Sequence, residues 1–257
     1  MCFDADSHPP IEPIAGGALD SERLTLTSED GARLSAFRAR AANPTGNGIL
    51  ILPDVRGLHG YYEEPALRFA EQGIDAVAID YFCRTAGLAP RPADFDHTPH
   101  VAQTSWEGLA ADIRAGTGAL RATRDGDDGP RRIFTIGFCM GGRLASLAGT
   151  LGLGFSGLIA FYGWPTGPHR SGSPAPAEVA ASLEAPVLAV YGEADQGISA
   201  EVREAYDTAL DEAGIERKTI VYPGAPHGFF DRKAEEFAAA SAEAWAETLG
   251  FIRAHGA

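Results

Sequence analysis

The feature that most constrains the fold is an apolar run that ends in a glycine-rich turn. Residues 133–138 read Ile-Phe-Thr-Ile-Gly-Phe, and Cys139, Met140, two glycines and a helix-forming run follow. This pattern predicts a strand, a sharp turn with Cys139 at its apex, and a helix. G-x-C-x-G is the cysteine form of the G-x-S-x-G nucleophile elbow. The thiol would then lie at a helix N-terminus, where the helix dipole favours the thiolate.

The alternative for Cys139 is a small buried cysteine at a strand end. The neighbouring glycines favour the elbow, because an apex residue in a strained conformation needs neighbours without a Cβ if the helix is to pack on the strand.

Length and charge limit the possible functions. The 257 residues suffice for one large α/β domain, which we expect to span the chain, with residues 1–20 as an extended N-terminal arm. The net charge of -14 argues against nucleic acid and anionic membranes as partners. No stretch approaches the roughly 18 apolar residues of a membrane span, and residues 1–13 do not resemble a signal peptide. A cytoplasmic location is therefore expected.

Cysteine usage agrees with that location. Cys2, Cys83 and Cys139 are few and widely spaced, which is typical of free thiols in a reducing compartment. No spacing of cysteine, histidine or carboxylate residues suggests a metal site.

Apolar runs alternate with helical patterns after an N-terminal hairpin at about residues 23–40. The runs at 48–53, 74–80, 157–162 and 186–191 are continuous, as in strands buried on both faces. We therefore predict an α/β fold with a mostly parallel sheet of about eight strands and helices on both faces. The Pro-containing stretches 81–104 and 163–176 are predicted loops at the edge of the sheet.

Four predicted loops at carboxyl ends of strands carry polar residues that could act together. They hold Asp54, Cys139, Asp195 and His227, and the last three follow the order nucleophile, acid, base. His227 would activate the Cys139 thiol, and Asp195 would orient the imidazole. The alternatives are a surface-loop histidine at 227 and a turn-capping role for Asp195 with Gly197.

Two backbone amides are candidates for an oxyanion hole. Met140 directly follows the nucleophile, and Val55 lies in the loop after the third strand. Asp54 itself could be an ordinary turn residue. His59 and His97 could line a pocket or face solvent.

The motifs together resemble the dienelactone hydrolase family of α/β-hydrolases. The resemblance extends from about residue 23 to 251, and its motifs are Leu52–Gly57, Asp80–Phe82, Gly137–Gly142, Tyr191–Asp195 and Tyr222–Phe229. It implies a Cys-Asp-His hydrolase that opens an enol-lactone through an acyl-enzyme and needs no cofactor. The partner would be a small-molecule lactone or ester, and the sequence is compatible with a monomer or a homodimer.

The resemblance also implies a resting partner for the thiol. In that family an acidic residue after the third strand holds the thiol neutral until substrate binds. The matching residue is Asp54, where the family prototype has Glu. One methylene less shortens its reach to Cys139.

The substrate-binding residues match less well. The prototype has a carboxylate-binding Arg four residues after the catalytic His, where this chain has Asp231. A second such Arg falls in the region 81–104. The residues that could form an anion site here are Arg56, Arg84, His100, Arg143 and Arg232.

Two other functions stay open at this point. A low-pKa Cys139 also suits a redox-responsive or electrophile-binding thiol protein on the same fold. A non-catalytic module that binds a small acid or ester is the third possibility.

Overall fold

The computed structural model describes residues 3–4, 6–16, 18–122 and 131–256. Eight strands form one sheet in the order β1-β2-β4-β3-β5-β6-β7-β8. The strands are β1 Ala18–Thr27, β2 Arg33–Ala41, β3 Asn47–Leu52, β4 Ile74–Ile79, β5 Arg132–Phe138, β6 Gly157–Phe161, β7 Val187–Gly192 and β8 Arg217–Tyr222.

The pairing of the strands agrees with the predicted mostly parallel sheet. The hairpin β1–β2 is antiparallel, and β2 is antiparallel to β4. All pairs from β4 to β8 are parallel. Every residue of β3, β4 and β7 is buried, because these strands are covered on both faces, and this explains their continuous apolar sequence. The predicted α/β-hydrolase fold is confirmed.

Seven α-helices accompany the sheet within the described residues. They are α1 Gly60–Glu71, α2 Cys83–Ala86, α3 Thr98–Ala102, α4 Trp106–Arg121, α5 Met140–Ala148, α6 Ala200–Glu212 and α7 Ala238–His255. Ser105 caps α4 as its type suggests, since its Oγ accepts from the amide of Gly108 at 3.1 Å. None of the described helices is long and apolar enough to cross a bilayer.

Several boundaries differ from the sequence prediction. The stretch 81–104 is not wholly irregular, because it contains the short helices α2 and α3. A 3-10 helix at Pro176–Ser182 follows the second loop, and another at Glu235–Phe237 precedes α7. The first strand begins at Ala18, so the arm is shorter than predicted. Residues 124–130, whose polar and glycine-rich sequence predicts a turn, lie outside the described residues.

The elbow forms where the backbones of β3, β5, β6 and α5 meet. Cys139 has φ 56° and ψ -116°, a positive-φ conformation that is rare for a residue with a side chain. A Cβ on Gly141 would lie 2.0 Å from the carbonyl oxygen of Leu52, and one on Gly142 would lie 2.6 Å from that of Phe161. Because these two glycines lack a Cβ, the start of α5 can pack directly on the backbone at the ends of β3 and β6, and this packing holds Cys139 at the apex.

This close contact predicts a large effect for Gly141→Ala. The added methyl would meet backbone atoms that cannot rotate away, so we expect a loss of about 3 kcal/mol or more in the free energy of unfolding. Urea denaturation at pH 7 measures it. Gly118→Ala is the control, because Gly118 lies in α4 with open space around its Cβ position. It should stabilise the chain by up to about 1 kcal/mol. Equal effects of the two substitutions would contradict the steric explanation.

Candidate active site

A cavity of about 470 Å³ opens above Cys139 at the carboxyl edge of the parallel strands. Cys139 lines it from the turn before α5, Met140 and Arg143 line it from α5, and His227 lines it from the loop after β8. The remaining lining residues come from three loops and are Val55, His97, Trp164, Thr166, Pro168 and His169. The structure thus brings the predicted nucleophile and base to one space.

Asp195 and His227 form a short hydrogen bond. The Nδ1 atom of His227 is 2.7 Å from Oδ2 of Asp195, while the other carboxylate oxygen accepts from the Gly197 amide at 2.8 Å. Burial raises the pKa of Asp195, but the bond to His227 and the amides of Gly197 and Ile198 lower it more. Asp195 is therefore an ionised acceptor held in a fixed orientation.

The imidazole of His227 has a raised pKa. Burial lowers its pKa, but hydrogen bonds to Asp195 and Cys139 and their negative charge raise it, to about 9. Since Nδ1 meets Asp195, Nε2 is the nitrogen that can exchange a proton with the Cys139 thiol. The ring also packs against Trp164 in a tilted arrangement, with centroids 4.8 Å apart and planes at 34°.

Asp54 is fully buried beside the same thiol. Burial raises the pKa of its carboxyl group to about 7, and the charge of Cys139 adds to this effect. Its Oδ1 accepts from the amide of Arg56 at 2.9 Å, and its Oδ2 accepts from the amide of Phe3 at 3.3 Å. Asp54 is thus a carboxyl group that can be neutral near pH 7.

The two amides predicted for an oxyanion hole both belong to residues that line the cavity, Val55 and Met140. Met140 is the first residue of α5, so its amide has no acceptor within the helix.

Arg143 lies in the cavity wall, but its guanidinium is used by the loop that follows β6. It donates to the Ser173 hydroxyl and to backbone carbonyls of this loop, namely those of Trp164, Thr166, Gly167, Ser173 and Pro174. Burial lowers its pKa. Among the cations proposed for substrate binding, it is the one that lines the cavity, and it is 3% exposed.

The other predicted cations lie outside the cavity lining. Arg84 pairs with Asp30 and the buried Asp112. His100 contacts the Thr85 hydroxyl at 2.8 Å.

Arg56 and Arg232 lie close to the N-terminal arm. The Arg56 guanidinium is 3.2 Å from a carboxylate oxygen of Asp4 and 3.3 Å from the Ala93 carbonyl. The Arg232 side chain donates to the carbonyl of Pro9 at 3.5 Å. The structure therefore does not bring Arg56, Arg84, His100 and Arg232 together around Cys139.

Sequence reasoning missed two parts of the site. Trp164 and His169 line the cavity from the stretch that was predicted only as a loop. Its position after a strand end could have indicated them. The contact between Phe3 and Asp54 had no signal in the sequence, because 51 residues separate the two.

The bonding of Arg143 predicts that it orders the loop 164–174. Arg143→Leu removes these donors, so trypsin should cleave after the exposed Arg170 at least about tenfold faster than in the unmodified chain. Cleavage is followed by mass spectrometry of the released peptides. Arg143→Lys keeps the charge but not the planar set of donors and should give an intermediate rate. Unchanged cleavage in Arg143→Leu would show that the loop is held by other contacts.

Comparison with known proteins identifies the family of this chain. The family model of the dienelactone hydrolase family matches residues 34–256. A protein of Escherichia coli O157:H7 named "Putative carboxymethylenebutenolidase" is 31% identical over 242 residues, which cover 91% of this chain and 87% of the relative. A relative of the same name in Methylorubrum extorquens is 28% identical over 253 residues, which cover 96% of this chain and 84% of that protein.

Solved structures show the same fold. A protein described as "Putative Dienelactone Hydrolase" from Klebsiella pneumoniae superposes with a TM-score of 0.79 at 24% identity, covering 91% of this chain and 98% of that one. A dienelactone hydrolase-like phosphotriesterase, P91, from metagenomic libraries gives a TM-score of 0.75 at 20% identity, covering 94% and 100%. Because the family model spans most of the sequence, the chain belongs to the dienelactone hydrolase family and is a carboxylic ester hydrolase.

Proposed function

We propose that this chain hydrolyses an uncharged lactone or small ester through Cys139, His227 and Asp195. The observation that carries the proposal is the contact of His227 with both other residues, two of the three lining one cavity. Family membership supports the reaction class, and the geometry supports the assignment of these three residues.

Acylation follows from the arrangement of the three side chains. His227 takes the thiol proton through Nε2, and the Cys139 sulfur attacks the carbonyl carbon of the ester. Asp195 stabilises the imidazolium that forms. The amides of Val55 and Met140 would stabilise the oxyanion of the tetrahedral intermediate. The imidazolium then gives its proton to the leaving alkoxide, which in a lactone stays attached to the acyl-enzyme.

Deacylation uses the same residues in the reverse sense. His227 removes a proton from water, and the resulting hydroxide attacks the thioester carbon. The C–S bond breaks, the acid leaves, and the sulfur returns as thiolate beside the imidazolium. The water, the ester and the two protons are balanced, so the cycle needs no further reactant.

Asp54 has the position for a resting partner of the thiol. Its raised pKa, about 7, lets it exist as a neutral acid or a carboxylate at the pH of the reaction. A neutral Asp54 places no charge beside the thiolate–imidazolium pair, whereas an ionised Asp54 repels the thiolate and favours the thiol. We propose that this balance keeps Cys139 protonated before substrate enters.

The cavity lining favours an uncharged substrate. Its apolar part includes Val55, Trp164 and Pro168. Burial and nearby arginine charges lower the pKa of His97 and of His169, so both imidazoles are neutral at pH 7. Arg143 supplies the only guanidinium in the lining within the described part of the chain, and it already donates to neutral oxygens of the loop. A substrate carboxylate would lose its hydrating water on entering the cavity. Because the Arg143 guanidinium is already committed to the loop, it would not replace that water, so binding of the carboxylate would cost free energy.

The assignment of the three residues predicts the effect of replacing them. Cys139→Ala should reduce kcat/KM for p-nitrophenyl acetate to background, and His227→Ala should reduce it by about 10³-fold or more. Asp195→Asn should lower it by roughly 10²- to 10⁴-fold, because the imidazole loses its orienting carboxylate. Cys83→Ala is the matched control, since Cys83 lies in α2 outside the cavity lining. Rapid alkylation of Cys139 without turnover of any ester would instead favour the electrophile-binding thiol protein.

The commitment of the Arg143 guanidinium to the loop predicts a preference among substrates. We expect kcat/KM for p-nitrophenyl acetate to exceed that for p-nitrophenyl hemisuccinate by roughly tenfold or more, because only the second carries a carboxylate into the cavity. A dienelactone is assayed beside them. Faster hydrolysis of the hemisuccinate at low ionic strength would mean that an arginine at this edge meets a substrate carboxylate, and Arg143→Lys and Arg170→Leu would then locate it.

A further inference from the structure

The N-terminal arm reaches into the core directly beneath the site. Phe3 is 1% exposed, and its ring stacks on Tyr61 with centroids 3.7 Å apart. The same ring lies edge-on to Phe138, the residue before Cys139, at 6.0 Å, and to Tyr162 at 6.5 Å. The Phe3 side chain therefore fills a buried aromatic cluster that borders the elbow.

The backbone of Phe3 meets the carboxylate of Asp54. Each oxygen of this carboxylate accepts from a different segment of the chain: Oδ1 from the Arg56 amide of its own loop, and Oδ2 from the Phe3 amide of the arm. Asp54 is thus held on one side by a tight local turn and on the other by a segment that is far away in sequence.

Polar contacts fix the arm to two site-bearing loops. In the loop after β3, Arg56 lies 3.2 Å from the carboxylate of Asp4. In the loop after His227, the Arg232 amide donates to the carbonyl of His8 at 2.8 Å, and the His8 amide approaches the buried Asp231 carboxylate at 3.4 Å. Lys233 also pairs with Asp6. Asp231, which stands where the family prototype has an arginine, serves here as an anchor of the arm.

We propose that the arm is a positioning element of the thiol site, in which the amide and ring of Phe3 hold the Asp54 carboxyl group and control the charge that faces Cys139. This inference rests on the proposed role of Asp54 as the resting partner of Cys139. Phe3 acts through Asp54 and does not touch the reacting atoms.

The two parts of Phe3 act in opposite directions on Asp54. The amide donates to the carboxylate form and so lowers the pKa of Asp54. Burial raises that pKa, and we infer that the buried Phe3 ring contributes to the rise by keeping water out. Replacing the ring while keeping the amide should therefore lower the pKa of Asp54. Removing the amide together with the ring should give a pKa of Asp54 that is higher than in the variant that lacks only the ring.

The other groups that face Asp54 are unchanged by such substitutions. They are the Cys139 thiol from α5, the Arg56 guanidinium of its own loop, and two hydroxyls. The Tyr62 hydroxyl of α1 accepts from the Asp54 amide at 2.9 Å, and the Tyr81 hydroxyl after β4 donates to the Asp54 carbonyl at 3.1 Å. A difference between two variants at position 3 thus reports on the arm itself.

The test compares Phe3→Ala, which keeps the amide, with Phe3→Pro, which has no N–H to donate. Alkylation of Cys139 by iodoacetamide is measured from pH 5 to 9 by mass spectrometry of the Cys139 peptide. In the unmodified chain we expect an inflection near pH 7 that is absent in Asp54→Asn. The charge of Asp54 determines the shape of this pH profile. When Asp54 ionises, its negative charge disfavours the Cys139 thiolate, so the alkylation rate rises less steeply with pH above the inflection than below it.

The expected result is an inflection at a higher pH in Phe3→Pro than in Phe3→Ala, by roughly half a unit to one unit. Phe3→Leu, which refills the cluster and keeps the amide, should restore the position of the unmodified chain. Ile14→Ala is the arm control, because Ile14 is 46% exposed, and it should change nothing. Thermal unfolding confirms that each variant is folded. If Phe3→Pro does not fold, the comparison of Phe3→Leu with Phe3→Ala still tests the contribution of the ring.

Coincident inflections in the unmodified chain, Phe3→Ala and Phe3→Pro would overturn the proposal. An inflection that persists in Asp54→Asn would overturn it together with the role of Asp54. The alkylation readout does not depend on ester turnover. A failure of the hydrolase proposal would therefore appear separately, as an intact Asp54-dependent inflection in a chain that hydrolyses no ester.

Discussion

The structure depends on a backbone-to-backbone contact between the elbow and its neighbours. A Cβ on Gly137 would lie 1.9 Å from the carbonyl oxygen of Gly141, so the strand and the helix touch without a side chain between them. The same closeness places the start of α5 against the end of β3. Because Cys139 lies between these contacts, its positive φ is maintained by packing on all sides. The loops that carry Asp54, Asp195 and His227 then converge on a thiol that cannot move away.

Charge in the site is arranged around that fixed thiol. Asp195 and His227 share one short hydrogen bond, whereas Asp54 is fully buried and held by two backbone amides. The two carboxyl groups thus differ in environment: the pKa of Asp195 is lowered by its partners and that of Asp54 is raised by burial. Such a separation of pKa values lets one carboxyl group remain an orienting anion while the other changes its protonation state.

The sequence was informative where structure is local. Continuous apolar runs, turn glycines and the order Cys139, Asp195, His227 depend on neighbouring residues, so the sheet and the three loop positions could be predicted. Contacts between distant segments could not. Arg143 looks like a cation available for substrate until its acceptors in the loop 164–174 are seen. The N-terminal arm looks like an extended tail, because nothing near Phe3 in sequence indicates the aromatic cluster that receives it.

The contact between Trp164 and His227 has an optical consequence. A protonated imidazole accepts an electron from an excited indole and quenches its fluorescence, whereas a neutral imidazole does so weakly. Trp164 lies 4.8 Å from the His227 ring and is one of three tryptophans in the chain. Trp245 packs against Phe69 instead. The emission of Trp164 therefore depends on the protonation of His227, which can be followed without any label.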